Sequence, residues 1–176
     1  MFTPHKTEKV HIPYFEDSTK GEGWAGYSTT KSAKTLRAEI IVALARLGGI
    51  VSTFQRGTFQ VDGLERQGVR IHYSLENPAG LTVPGRLDIA ALPCRRPYRN
   101  DDKSFCMALY MLRAGLEGMW YMERLSPGYA SLVPWMLGPG DKTISELWAA
   151  SPIMSRLLPP GESEFIEGEI IKEKST

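Results

Sequence analysis

The sequence predicts an α+β fold: a helix, a three-stranded antiparallel sheet and a second, longer helix. Three observations carry this. Apolar residues recur at helical spacing in two separated stretches. Between them lie three segments rich in β-branched and aromatic residues, two with clear period-two alternation. The connections between those segments are short, which favours an antiparallel meander over parallel crossovers. At 176 residues the chain can bury a core without disulfides.

Residues 1–27 read as an irregular aromatic arm, with Tyr14, Phe15, Trp24 and Tyr27 set among glycines and prolines. A globular domain is expected over 28–160 and a disordered acidic tail over 161–176. The first helix is expected over Ser28–Leu47. Leu36, Ile40, Leu44 and Leu47 form its stripe, and Gly48-Gly49 ends it. Strands follow at Ile50–Val61, interrupted by Gly57, at Arg66–Glu76 and at Leu81–Leu92. In the second, Val69, Ile71, Tyr73 and Leu75 oppose Arg70, His72 and Ser74; in the third, Leu87, Ile89 and Ala91 oppose Arg86 and Asp88. Pro84 argues for an edge position or a bulge.

Cys94–Lys103 reads as a basic loop, and the residues from Ser104 to Leu125 as the longest helix. Phe105, Ala108, Leu109, Leu112, Leu116, Met119 and Trp120 give it one apolar face. Asn100, Asp101 and Asp102 are expected to cap it. Tyr129–Gly140 should lie across the core, and Thr143–Ala150 makes a short helix with Glu146 available for a capping box. This order of elements also occurs in double-stranded-RNA-binding domains, without a residue motif to accompany it here.

Composition excludes little. The net charge of +1 makes no whole-chain case for nucleic acid or membrane, but its placement is uneven. Residues 161–176 hold five glutamates against two lysines, a balance of −3, which leaves +4 on the first 160. Cys94 and Cys106 make neither a disulfide framework nor a CxxC site, and Cys106 is expected to be buried. No signal peptide or membrane span is indicated, so a cytoplasmic location is expected. No cofactor or metal site is expected either: His5 and His11 lack standard ligand spacing with His72 or Cys94.

Two short motifs resemble enzyme signatures. Tyr27-x-x-x-Lys31 resembles the catalytic pair of short-chain dehydrogenases, but no strand–GxGxxG–helix unit precedes it. Ser28-x-x-Lys31 resembles the acyl-transfer motif of β-lactamases and penicillin-binding proteins, but its companion motifs are missing. Hydroxyl caps at a helix start explain the same residues. Asp88, Asp101 and Lys103, with Glu39 as an extra acid, resemble the metal-binding set of restriction-enzyme-like nucleases. That resemblance implies a Mg²⁺-dependent nuclease as the alternative function.

The leading expectation is a nucleic-acid-binding protein without its own catalysis, acting on single-stranded or structured nucleic acid. Arg95, Arg96 and Arg99 have the chemistry of phosphate contacts around a stacking Tyr98. Arg70, His72 and Arg86 would extend the surface across an open sheet face. Lys31, Lys34, Arg37 and Arg56 could lengthen the positive track. A homo-oligomeric or partner-binding structural protein, with Tyr129–Leu137 buried against another chain, is the third expectation.

Overall fold

The computed structural model describes residues 12–18, 20–24, 26–76 and 79–151. The expected acidic tail, His5 and His11 lie outside them. The architecture is the expected α+β one. Helix α1 (Ala33–Arg46) is followed by strands β1 (Ile50–Val61), β2 (Leu64–Glu76) and β3 (Thr82–Ala90), then helix α2 (Pro97–Leu125) and a short α3 (Ile144–Ala149).

α1 starts later than its hydroxyl-rich approach suggests. Ser32 is the cap, its Oγ accepting the Thr35 amide at 3.2 Å. Its apolar stripe is buried at Leu36, Ile40 and Leu44, and Gly48 turns the chain at φ +85°.

The sheet is antiparallel in the order β1-β2-β3. Asp62 and Gly63, at φ 53° and 75°, make the two-residue β1–β2 turn that the sheet twist favours. Gly57 does not interrupt β1. Val69, Ile71, Tyr73 and Leu87 face the helices in one core with Leu36, Ile40, Leu44, Phe105, Leu109 and Leu116. Gly85 is needed there, because a Cβ would fall 2.4 Å from Tyr73 Cζ. Pairing of β3 with β2 stops at Ala90 opposite Gly68, so the β1–β2 hairpin runs on beyond the third strand. Buried Arg66 marks the stop by donating to the Ala90 and Ala91 carbonyls at 3.0 and 2.6 Å.

α1 and α2 pack side by side and run parallel. Glu39 meets Arg113 at 3.5 Å, and two turns further along both helices Arg46 lies over the Trp120 ring at 6.0 Å. Both N-termini therefore open at the same end of the molecule.

After α2, Leu132 is buried and Trp135 packs on the core. Met136 bridges Gly85, and the Leu137 amide donates to Pro84 O at 2.8 Å, so this segment lies along the outer edge of β3. The Tyr129–Leu137 surface is thus largely used inside the chain. Tyr129 and Val133 remain exposed. Thr143 and Glu146 form the expected capping box of α3. Among the described residues, no helix is long and apolar enough to cross a membrane.

Candidate nucleic-acid interface

The stretch expected as a loop over Cys94–Lys103 is mostly helix. α2 begins at Pro97, whose fixed φ and missing N–H suit the first helical position. Asn100, Asp101 and Asp102 therefore ride on the helix and do not cap it, and Arg96 at the cap position supplies no side-chain bond. The acid comes from the N-terminal arm. Phe15 is buried against Leu92 and Met107, and its amide donates to Pro93 O at 2.8 Å. That anchor sets Glu16 at the helix start, where its carboxylate accepts the Arg95 and Arg96 amides at 3.1 Å each and Asn100 Nδ2 at 2.9 Å. Burial acts to raise the Glu16 pKa, but the Asn100, Arg95 and Arg96 donors outweigh it and hold the group at about 2.

The same arm takes Arg95. Its guanidinium forks onto Asp17, with Nη1 to Oδ1 at 2.8 Å, and stacks over Tyr14 at 4.9 Å. Arg96 and Arg99 are exposed, and their side chains have no ion-pair or hydrogen-bond partner among the described residues. Tyr98 between them is 90% exposed. Lys103, one turn beyond Arg99, is likewise exposed and unpaired among the described residues. Helical spacing places Arg99 and Lys103 on one flank of α2, with Arg96 at the cap position just before it. Two clefts of about 390 and 350 Å³ lie here: one is lined by Glu16, Arg95, Arg96, Arg99 and Asn100, the other by Ser28, Thr29, Lys31, Asp102 and Lys103. The positive dipole end of α1 adds to the potential here, while that of α2 is met by Glu16. Lys31, however, is paired with Glu39 at 2.6 Å.

The sheet face away from the helices is a different surface. Register puts Arg70 opposite Asp88 and His72 opposite Arg86, as expected for one face. Yet it is not an array of free donors. Arg70 clamps Asp88 with two bonds of 2.7 and 2.8 Å and sits 5.9 Å from the Phe59 ring. Arg86 is buried, with a side chain only 8% exposed. It donates to Asp141 O at 2.6 Å and both Glu146 oxygens at 2.7 Å, and pairs with Asp88 at 3.1 Å. α3 has closed over this corner, so Arg86 is removed from any contact surface. His72 Nδ1 shares a hydrogen with Thr53 Oγ1 at 2.9 Å. The predicted site therefore divides: Arg95, Arg96, Tyr98 and Arg99 gather at the α2 start, while Arg70, His72 and Arg86 lie on the sheet face opposite the helix layer.

Asp88 and Asp101 do not share a pocket either. Asp88 is held between Arg70 and Arg86 on the outer sheet face, whereas Asp101 rides on α2 beside Cys94. Among the described residues, no group of three or more His, Cys, Asp or Glu side chains is placed to hold a metal ion. Burial, reinforced by Asp101, pushes the Cys94 thiol up to about 12; burial, then Asp102, raises Cys106. Neither thiol is poised as a nucleophile. Cys106 is half-buried, not fully buried as expected.

Sequence reasoning missed Glu16 and Asp17 at the helix start, and Asp141 and Glu146 on Arg86. Only Glu146 carried a signal, as the third residue of a capping box, and that signal says nothing of a second partner across the sheet. No family model, curated protein or solved structure matches this chain.

Proposed function

We propose that this chain binds nucleic acid, single-stranded or locally unpaired, through the first two turns of α2, and performs no chemistry on it. The observation that carries the reading is Tyr98, 90% exposed between two arginines that the fold leaves unpaired among the described residues. An exposed large aromatic gains nothing from folding at such a site. A base stacked on it would gain about 1–3 kcal/mol. Arg96 and Arg99 supply forked donors for the flanking phosphates, and Lys103 continues the flank. Arg95 becomes a scaffold residue, holding the arm to the loop, and Arg70 and His72 a secondary surface reached only by a ligand that wraps the sheet.

The test is a titration of a fluorescent single strand against wild type and an Arg96→Gln/Arg99→Gln double variant over a range of salt. Loss of two phosphate contacts should weaken binding and flatten the slope of log K against log[salt] by about 1.4, since each single-strand contact releases roughly 0.7 counterion. An unchanged slope would remove the α2 start from the interface.

A further inference from the structure

The two edges of the sheet are treated differently. The outer edge of β3 is covered through Met136 and Leu137. The outer edge of β1 is unpaired among the described residues, although β1 runs for 12 residues. Edge strands are normally defended by lysine, proline, an inward charge or a bulge along their length. β1 has no Lys, Pro, Asp or Glu, and its bulge lies at the start, between Val51 and Thr53. Its one charge, Arg56, points inward but is neutralised within the chain, over the Phe105 ring at 4.4 Å and against Asp102 at 2.8 Å. A long edge with no unpaired charge, left open while its opposite is closed, has the geometry that strand addition uses.

We propose that the occupant is a second copy of this chain, joined by antiparallel β1–β1 pairing about a two-fold axis at Gly57, to give a continuous six-stranded sheet. A two-fold contact must be self-complementary, and the charges around β1 are arranged for that. On the helix side of the sheet, Arg37 lies over Phe54 at 5.1 Å, in the first half of the strand, with Lys34 one turn away on α1. The acids sit at the other end: Asp62 in the turn, and Glu65 opposite Gln60, on the same helix-facing side.

Pairing centred on Gly57 sets Phe54 against Gln60 of the second copy, Gln55 against Phe59 and Arg56 against Thr58. The Phe54 position, beneath the Arg37 guanidinium, then stands two strand spacings from the second copy's Glu65, roughly 10 Å at the level of the backbone, a gap that the arginine and glutamate side chains can close. The two Phe54 positions, with their arginines, stand about 20 Å apart along the strands, beyond the screening length at physiological salt. A register centred on Arg56 would instead set the two arginines directly opposite. Gly57 suits the axis, because even a Cβ added there would meet nothing within 4 Å in its own chain. The inference stands apart from the nucleic-acid reading, since the α2 start is not used in it.

The test is mass in solution combined with site-specific cross-linking of the full chain. Light scattering should give twice the 19.6 kDa of one chain. Oxidised Gly57→Cys should form an inter-chain disulfide, because directly opposed residues have Cα atoms about 4.5–5.5 Å apart, within disulfide span. Gln55→Cys, facing Phe59, should not cross-link. Thr58→Lys should yield a folded monomer, with its fold checked by circular dichroism. A monomeric wild type whose Gly57→Cys variant stays reduced would overturn the inference. So would a dimer that survives Thr58→Lys, or that cross-links through Gln55→Cys in place of Gly57→Cys.

Discussion

Glu146 joins α3 to the sheet, and its removal has a calculable cost. Its carboxylate accepts the Thr143 amide at 2.6 Å and the Thr143 hydroxyl at 3.0 Å, while both oxygens meet Arg86 Nη2 at 2.7 Å. The Thr143 amide does most to hold its pKa below the ordinary carboxylate range, with the Thr143 hydroxyl and Arg86 adding to this against burial. Glu146→Ala loses the capping interaction, worth about 1 kcal/mol. It also strips one partner from a guanidinium that is 8% exposed. Breaking a fully buried pair costs about 3–5 kcal/mol. Here Glu146 is 48% exposed and Arg86 keeps Asp88 and the Asp141 carbonyl, so about 1 kcal/mol is the discounted figure. The sum is about 2 kcal/mol. In urea, with a slope of about 2 kcal/mol/M for a chain of this size, the midpoint should fall by roughly 1 M. Glu146→Gln should fall about half as far. A double-mutant cycle with Arg86→Met should return a coupling of about 1 kcal/mol. A Glu146→Ala midpoint indistinguishable from wild type would show that α3 is not held to the sheet through Arg86.

Three further outcomes follow from the same contacts. Glu16 has a folded pKa of about 2 against an ordinary 4.5, so its stabilisation is complete above 4.5 and lost as pH falls towards 2; the stability gap between wild type and Glu16→Gln, measured by denaturation at stepped pH, should close over that window. Gly85→Ala should destabilise by about 1–3 kcal/mol through overlap with the Tyr73 ring, and Tyr73→Leu in the same chain should recover part of the loss in melting temperature. Tyr98→Ala should leave stability within about 0.5 kcal/mol while weakening single-strand affinity by about 5- to 150-fold, the equivalent of one lost stack; a large stability loss would mean that Tyr98 packs on the fold.

Much of the fold was legible in local pattern. β1 runs over its expected Ile50–Val61, because β-branched and aromatic residues mark it from end to end and Gly57 costs it little at an edge. The buried stripe of α1 and the capping box of α3 were equally plain, since both depend on residues three or four apart. What failed was of longer range. The start of α2 was missed because Arg-Pro-Tyr-Arg reads as loop until Glu16, about 80 residues away, is known to supply its acid. Arg86 was read as solvent-facing because alternation gives the side of a sheet that a residue occupies, and says nothing of what later covers that side. Of the candidate site, Arg96, Tyr98 and Arg99 keep the exposure their composition suggested. Arg95 and Arg86 were claimed by acids that no local pattern could reveal.

The measurement that bears most directly on the proposed function is a fluorescence-anisotropy titration of the wild-type chain with matched single-stranded and duplex oligonucleotides, at low and moderate salt, with and without Mg²⁺. The expected result is saturable binding that favours the single strand, weakens as salt rises and leaves the oligonucleotide intact in Mg²⁺. Absence of binding at low salt, or cleavage that requires Mg²⁺, would contradict it.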